Sequence, residues 1–109
     1  MGKGPVYALN LFDLASREEY LAYSRRSAAA VGAHGGRVVL LGKFREALKG
    51  DIAPRQVIVV VEWESREAFQ GYLDDPQLAD LHPHREAGGG SYIWHLFDKL
   101  TDLRPLLRD

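Results

Sequence analysis

Residues able to carry proton-transfer or metal chemistry are few in this sequence, and the densest group lies just past its middle. The run Asp80-Leu81-His82-Pro83-His84-Arg85-Glu86 holds two imidazoles flanked by two acids and a guanidinium. Histidine titrates near neutrality, so His82 or His84 is a candidate general acid or base, and Asp80 or Glu86 could orient the ring. Arg85 beside them is a candidate ligand-binding cation. A His-x-His pair with an acid could also form part of a metal site. The pair lacks a third ligand at a fixed spacing, so no metal is expected. The plainer alternative is a polar connector whose histidines bond the backbone, and the residues alone leave both readings open.

Asn10 is the second candidate. It is a polar amide inside the apolar run Val6 to Phe12, and a buried amide must find hydrogen-bond partners. A ligand carbonyl is one possible partner, and loop backbone is the other. Tyr20, Tyr23, Phe69 and Tyr72 fall in helical segments, and Trp63 and Trp94 in strands. Such aromatics either form core or line a pocket for a flat apolar molecule. His95, between Trp94 and Leu96, reads as a packed side chain. Without cysteine there is no thiol nucleophile and no disulfide. No Gly-x-Ser-x-Gly or phosphate-loop pattern occurs, and Gly88-Gly89-Gly90 precedes a strand rather than opening a helix.

The elements that must position these residues follow a βαββαβ order. Val6 to Phe12 is strand-like. Ser16-Arg17-Glu18-Glu19 is a capping-box pattern, and it opens a helix running to about Ala33, which Gly35-Gly36 ends. Arg37 to Leu48 contains a second strand, Gly50 to Pro54 a turn, and Gln56 to Trp63 a third strand. Ser65 starts a second helix, which runs to about Leu73. Pro76 opens a short helical turn, and Ser91 to Phe97 is the fourth strand. The segment Ser16-Arg17-Glu18-Glu19-Tyr20-Leu21-Ala22-Tyr23 resembles Ser65-Arg66-Glu67-Ala68-Phe69-Gln70-Gly71-Tyr72, and each follows an aromatic-acid pair, Phe12-Asp13 or Trp63-Glu64. Two copies of one strand–cap–helix unit are what a ferredoxin-like α+β domain with a four-stranded antiparallel sheet requires. Residues 1–109 are expected to form that single domain, with 98–109 as a C-terminal extension whose leucines pack on another surface.

This topology brings Asn10 and Asp13, the Asp51–Arg55 turn and the His82–Gly90 connector to one end of the sheet. Trp63, His34 and Asp98 belong at the other. Two helices cover only one face of a sheet, yet both faces are apolar. Val57, Val59 and Val61 point one way and Ile58 and Val60 the other, while Tyr7, Leu9 and Leu11 oppose Val6, Ala8 and Phe12. The uncovered face therefore calls for a second copy of the chain, which would make a homodimer.

Composition narrows the partners further. The 109 residues carry 14 Lys and Arg against 15 Asp and Glu. The charges are interspersed, so the basic stripe of a nucleic-acid binder is missing. The longest apolar run, Val57 to Val61, is too short to cross a bilayer, and Met1 to Pro5 is not a secretory signal. A cytoplasmic protein without nucleic-acid or membrane partners is expected.

The stretch from Val59 to Glu86 carries a resemblance. It holds a strand ending at Trp63, then Ser65-Arg66-Glu67-Ala68-Phe69, Tyr72, Asp75-Pro76 and Leu81-His82-Pro83. In this it is similar to the dimeric α/β-barrel superfamily. With the helix exit Ala33-His34-Gly35-Gly36-Arg37, nearly the whole chain most resembles the domain-of-unknown-function 1330 family. The resemblance implies a ferredoxin-like fold that pairs into a dimeric α/β barrel, and it assigns no general activity. Antibiotic-biosynthesis monooxygenases and their haem-degrading relatives share that fold. There a first-strand Asn, a second-helix aromatic and a histidine after that helix form the site, which by position implies Asn10, Tyr72 and His82 or His84 as catalytic residues. Tyr72 stands where the haem enzymes have Trp, so no cofactor is expected.

Three functions follow as expectations. The first is a homodimer that binds a small apolar or aromatic molecule between helices and sheet, through Tyr20, Tyr23, Phe69, Trp94 and Arg85, or acts on it as a cofactor-independent enzyme. The second is a monooxygenase of the antibiotic-biosynthesis type on an aromatic substrate. The third is a non-catalytic binding or interaction domain.

Overall fold

The computed structural model describes residues 4–14, 16–79 and 89–107, with backbone alone at Glu19 and at 89–91. Strand β1 (Val6–Leu14) leads to helix α1 (Arg17–Ala33) and strand β2 (Gly36–Lys43). Strand β3 (Val57–Trp63), helix α2 (Arg66–Asp74), a 3-10 turn (Pro76–Leu78) and strand β4 (Gly89–Asp98) follow, and a short helix α3 (Arg104–Leu107) comes last. The four strands form one antiparallel sheet in the order β2-β3-β1-β4. This is the ferredoxin-like βαββαβ arrangement that the repeated strand–cap–helix unit predicts.

Each helix begins and ends for local reasons. The Ser65 hydroxyl accepts a hydrogen bond from the Ala68 N–H at 3.0 Å, capping α2. That satisfies one of the four N–H groups a helix start leaves unpaired. At the end of α1, Gly35 takes φ +83°, a left-handed conformation that a residue with Cβ adopts only at a cost. Its carbonyl then accepts from the Glu64 N–H at 3.0 Å, which pins the helix exit to the end of β3. Gly36 serves a different need. A Cβ there would lie 2.8 Å from both Trp63 Cε3 and Val31 Cγ1, so only glycine lets β2 pass the indole. Gly36→Ala is expected to lower unfolding free energy by about 1–3 kcal/mol, the usual cost of overpacking, read as a lower urea midpoint with unchanged slope.

Strand register shows where the chain ends meet. Phe12 faces Val57, Leu14 faces Gly89 and Val6 faces both Trp63 and Asp98. The Gln56 N–H donates to Asp13 Oδ1 at 2.8 Å, and the Leu14 N–H donates to Gln56 Oε1 at 3.1 Å. The end of β1 and the starts of β3 and β4 are thus joined as the topology requires, with Trp63 and Asp98 at the far end. Strand β1 runs two residues past Phe12, and the end of β2 and the start of β4 also differ from the sequence reading. The ladder between β2 and β3 stops at Lys43, where Phe44 N–H makes a last bond to the Gln56 carbonyl at 2.8 Å. Residues 44–48 are therefore not strand. Strand β4 starts two residues early because Gly89 and Gly90 pair with Leu14 and Asp13.

The core lies between helices and sheet, in Val6, Ala8, Ala30, Val61, Trp63, Phe69 and Tyr72. The opposite face carries Tyr7, Leu9 and Leu11 of β1, which face Glu62, Val60 and Ile58 of β3 and Phe97, His95 and Ile93 of β4. No helix among the described residues covers that face, and the molecule is only 17 Å thick in its short dimension. Glu62 is the charged exception. It takes hydrogen bonds from Lys99 at 3.1 Å and Arg37 at 3.2 Å. The Lys99 bond first, then both cations' charge, hold its carboxyl below the ordinary range. His95 sits exposed on this face rather than packed inside. Leu103, Leu106 and Leu107 of the tail remain exposed on this chain. No helix among the described residues is long and apolar enough to cross a membrane.

Candidate functional site

The site begins with what α1 lacks. Its sheet-facing positions carry Tyr20, Tyr23, Ser24, Ser27, Ala28 and Val31. A helix packed tightly on a sheet would place Leu or Ile at the middle ones. Serines and an alanine leave the space unfilled, and among its described residues α1 contributes only Ala30 to the buried core. The result is a cavity of about 280 Å³ between α1 and the sheet, floored by Ala8, Asn10, Val59 and Val61. Ligand pockets usually run from about 300 to 1,000 Å³, so this one suits a compact molecule.

Much of its wall is aromatic, and the ring contacts continue from it into the core. Tyr23 tilts on Tyr20 (5.9 Å between centroids), Tyr20 on Phe12 (5.4 Å), and Phe12 stacks on Tyr92 at 5.1 Å and 7°. Tyr92 meets Trp94 edge-on at 6.2 Å, and Trp94 meets Phe69 edge-on at 5.3 Å. Phe69 touches Trp63 at 5.5 Å, Trp63 touches Tyr72 at 5.1 Å, and Tyr72 meets the His34 ring at 6.1 Å. Edge-to-face and offset contacts at these spacings are favourable, and they fix each ring through its neighbours.

The polar centre of the floor is Asn10, 6% exposed. Its Nδ2 donates to the carbonyls of Ala8 at 3.2 Å and Val59 at 3.1 Å. Its Oδ1 accepts from the Tyr92 hydroxyl. The amide is thus held by backbone and by a neighbouring phenol. Burial pushes the Tyr20 hydroxyl above its ordinary pKa, and the Tyr23 phenol adds to the effect. Arg37 is the one charged residue on the described lining, and it is engaged with Glu62.

At the far end, His34 Nε2 lies 2.9 Å from Asp75 Oδ2. Asp75 Oδ1 accepts from the Gln77 N–H at 2.9 Å and caps the 3-10 turn. That backbone bond first, then His34, lower the Asp75 pKa. The pair ties the exit of α1 to the exit of α2.

The sequence candidates separate as follows. Asn10, Tyr20, Tyr23, Tyr72 and Trp94 all line the one cavity. Phe69 does not line it: the ring is 7% exposed and stands behind Trp63 and Trp94 in the core. Helical spacing alone puts Phe69 and Tyr72 on one side of α2, and only the sheet's position tells core from wall. His82, His84 and Arg85 lie outside the described residues. Among the described residues no group of three His, Asp or Glu could hold a metal. Tyr92 lines the cavity as well, and strict alternation from Trp94 places it on the same face of β4. Ser24 and Ser27 carry no local signal, because serine is common on a half-exposed helix face.

Known structures share this architecture. The protein of unknown function RPA0582 from Rhodopseudomonas palustris is 28% identical, with 92% of this chain and 85% of that one covered and a TM-score of 0.82. SnoaB, a cofactor-independent oxygenase from Streptomyces nogalater, is 20% identical over 93% of this chain and 98% of its own, with a TM-score of 0.65. A dimeric ferredoxin-like protein of unknown function from Thermobifida fusca is 12% identical over 91% and 95%, with a TM-score of 0.59. No curated protein matched the sequence. A family model does match, over residues 5–94, and the chain belongs to the family of the domain of unknown function DUF1330.

Proposed function

We propose that this protein is a homodimer that binds a small, flat, neutral molecule in the cavity between α1 and the sheet. The observation that carries this reading is the cavity itself, left open by Ser24, Ser27 and Ala28 and walled by stacked aromatic rings. Rings offer large apolar contact at little entropic cost, and a few polar groups set orientation. Arg37, the one charged residue of the described lining, is already paired, so a charged ligand would lose hydration without gaining a counter-ion. The second copy covers the open face of the sheet, closing the two sheets into a barrel; dimeric proteins with the ferredoxin-like fold support the pairing.

The chain's two tryptophans, Trp63 and Trp94, both line this cavity, so its intrinsic tryptophan emission reports on occupancy. Titration with naphthalene is expected to quench that emission saturably. Ser27→Phe, which fills the space, is expected to weaken binding at least about tenfold, a loss of roughly 1.4 kcal/mol, without changing the thermal midpoint by more than a few degrees. Unsaturable quenching, or equal affinity in Ser27→Phe, would contradict the assignment.

A second reading, oxygenation of a bound aromatic without a cofactor, draws support from the fold likeness to SnoaB and from the buried Asn10–Tyr92 pair. Oxygen uptake in the presence of a naphthalene hydroquinone, above the protein-free rate, separates it from binding alone.

A further inference from the structure

Two apolar segments of this chain are left bare, and both stand beside the open face of the sheet. The first is the long connection from β2 to β3. Its base is tied where the Phe44 N–H donates to the Gln56 carbonyl at 2.8 Å, and Gly50 turns it at φ +104°. The arm so formed shows Phe44, Leu48 and Ile52 to solvent, with Leu48 88% exposed. Together with Pro54, Leu11 and Ile58 they line a groove of about 580 Å³, room for several side chains. Leu11 and Ile58 face each other across the open side of the sheet. The groove therefore continues the surface that the second copy covers.

The other segment is the tail, and Lys99 fixes its root. The Lys99 N–H donates to the Pro5 carbonyl at 3.0 Å, and its ammonium donates to Glu62 Oε2 at 3.1 Å on the open face. Asp102 then holds a turn in place. Its Oδ1 accepts from the Arg104 N–H at 2.8 Å, and its Oδ2 accepts from the Arg104 guanidinium at 2.8 Å. The Leu106 N–H returns to the Leu103 carbonyl at 3.0 Å. Leu103, Leu106 and Leu107 stand three and four positions apart, hence on one side of that turn, and all three are exposed. Single exposed leucines are ordinary. Three on a turn that is already formed make an apolar knob with little ordering cost left to meet on docking.

Knob and groove start from opposite ends of the sheet. Strand β4 ends at Asp98 opposite Val6, while the groove lies at Leu11, roughly 17 Å further along β1 at the rise of a strand. The leucines of the tail do not reach the groove of their own chain, since they are exposed. A second copy laid on the same face and turned end for end brings its Val6 end, and the root of its tail, above this groove. Two-fold symmetry then makes the contact twice.

We propose that the groove beside the β2–β3 arm takes the Leu103–Leu107 turn of the second copy, so that the two chains clasp each other at both ends of the paired sheets. This rests on the homodimer reading, and it adds the direction in which the copies face and the segments that join them.

The sequence holds no cysteine, so introduced thiols report this contact without background. Leu48→Cys and Leu106→Cys each replace an exposed side chain. The two single-variant chains are co-expressed, diluted to micromolar concentration and treated with a short bismaleimide. The expected product is a two-chain species whose joined peptides carry positions 48 and 106. Its yield should be at least about tenfold above the cross-linking of either variant alone, because thiols held together react at an effective concentration near millimolar. A two-chain mass for the native protein without the 48–106 link, or with 48–48 or 106–106 links prevailing, would overturn the clasp and leave the homodimer intact. A link found only within one chain of the Leu48→Cys/Leu106→Cys double variant would place the tail on its own groove and also overturn it. A native protein with the mass of one chain would overturn both.

Discussion

Replacing Trp63 by alanine is expected to lower the unfolding free energy by about 3–5 kcal/mol, the usual cost of deleting a buried large aromatic. The indole is 2% exposed and is held by Phe69 on one side and Tyr72 on the other. Its outer edge fills the notch that Gly36 leaves open. Removing it leaves a void between the sheet, Gly36 and α2, while the Gly35–Glu64 bond still holds the exit of α1 to the end of β3. For a domain of this size the thermal midpoint should fall by roughly 15 °C or more. Trp63→Phe should cost less, because the indole N–H finds no acceptor among the described residues, so no hydrogen bond is lost with it. A shift below about 5 °C for Trp63→Ala would show that the core does not depend on this residue.

The second large effect concerns the uncovered sheet. Val60 sits at the centre of that face, between Leu40 and Leu9. Across β1 and β4 the same face shows Tyr7 and Phe97, and Phe97 alone is 52% exposed. Large contiguous apolar surface on a soluble chain marks an interface. In the proposed dimer, Val60→Arg would bury an unpaired guanidinium in each half. Such a charge is destabilising by about 3–5 kcal/mol, which weakens association by roughly 100- to 1,000-fold or more. Light scattering at micromolar concentration should then give the mass of two chains for the native protein and of one chain for the variant. A native protein with the mass of one chain would remove the dimer from the account.

Much of the fold could be read from local signals. The two Ser-Arg-Glu starts, the Gly35-Gly36 exit and the valine run of β3 each have a short-range physical cause, and each lies where that cause puts it. The strand order followed from the pseudo-repeat, and with it the meeting of Asp13, Gln56 and Gly89 at one end. The site was less legible. Asn10 stood out because an amide in an apolar strand needs partners, but its partners could not be named, since Tyr92 is 82 residues away. The cavity arises from missing volume at Ser24, Ser27 and Ala28. In a sequence those residues look like ordinary helix formers, and the void exists only once the sheet is set beneath them. The His34–Asp75 pair spans 41 positions and has no local signature. Phe69 and Tyr72 share one face of α2, and which of them meets the cavity depends on where Trp63 and Trp94 stand.

The chemistry of the site is narrow on this account: a neutral pocket, a fixed relay of hydroxyl and amide, and rings on its walls. Its central claim, that the space beneath α1 holds a ligand, is tested most directly by a crystal structure with naphthalene bound. The account predicts electron density for the ring system between α1 and the sheet, against Ser24, Ser27 and the aromatic wall. Density only on the outer face of the sheet, or a cavity collapsed by inward movement of α1, would contradict it.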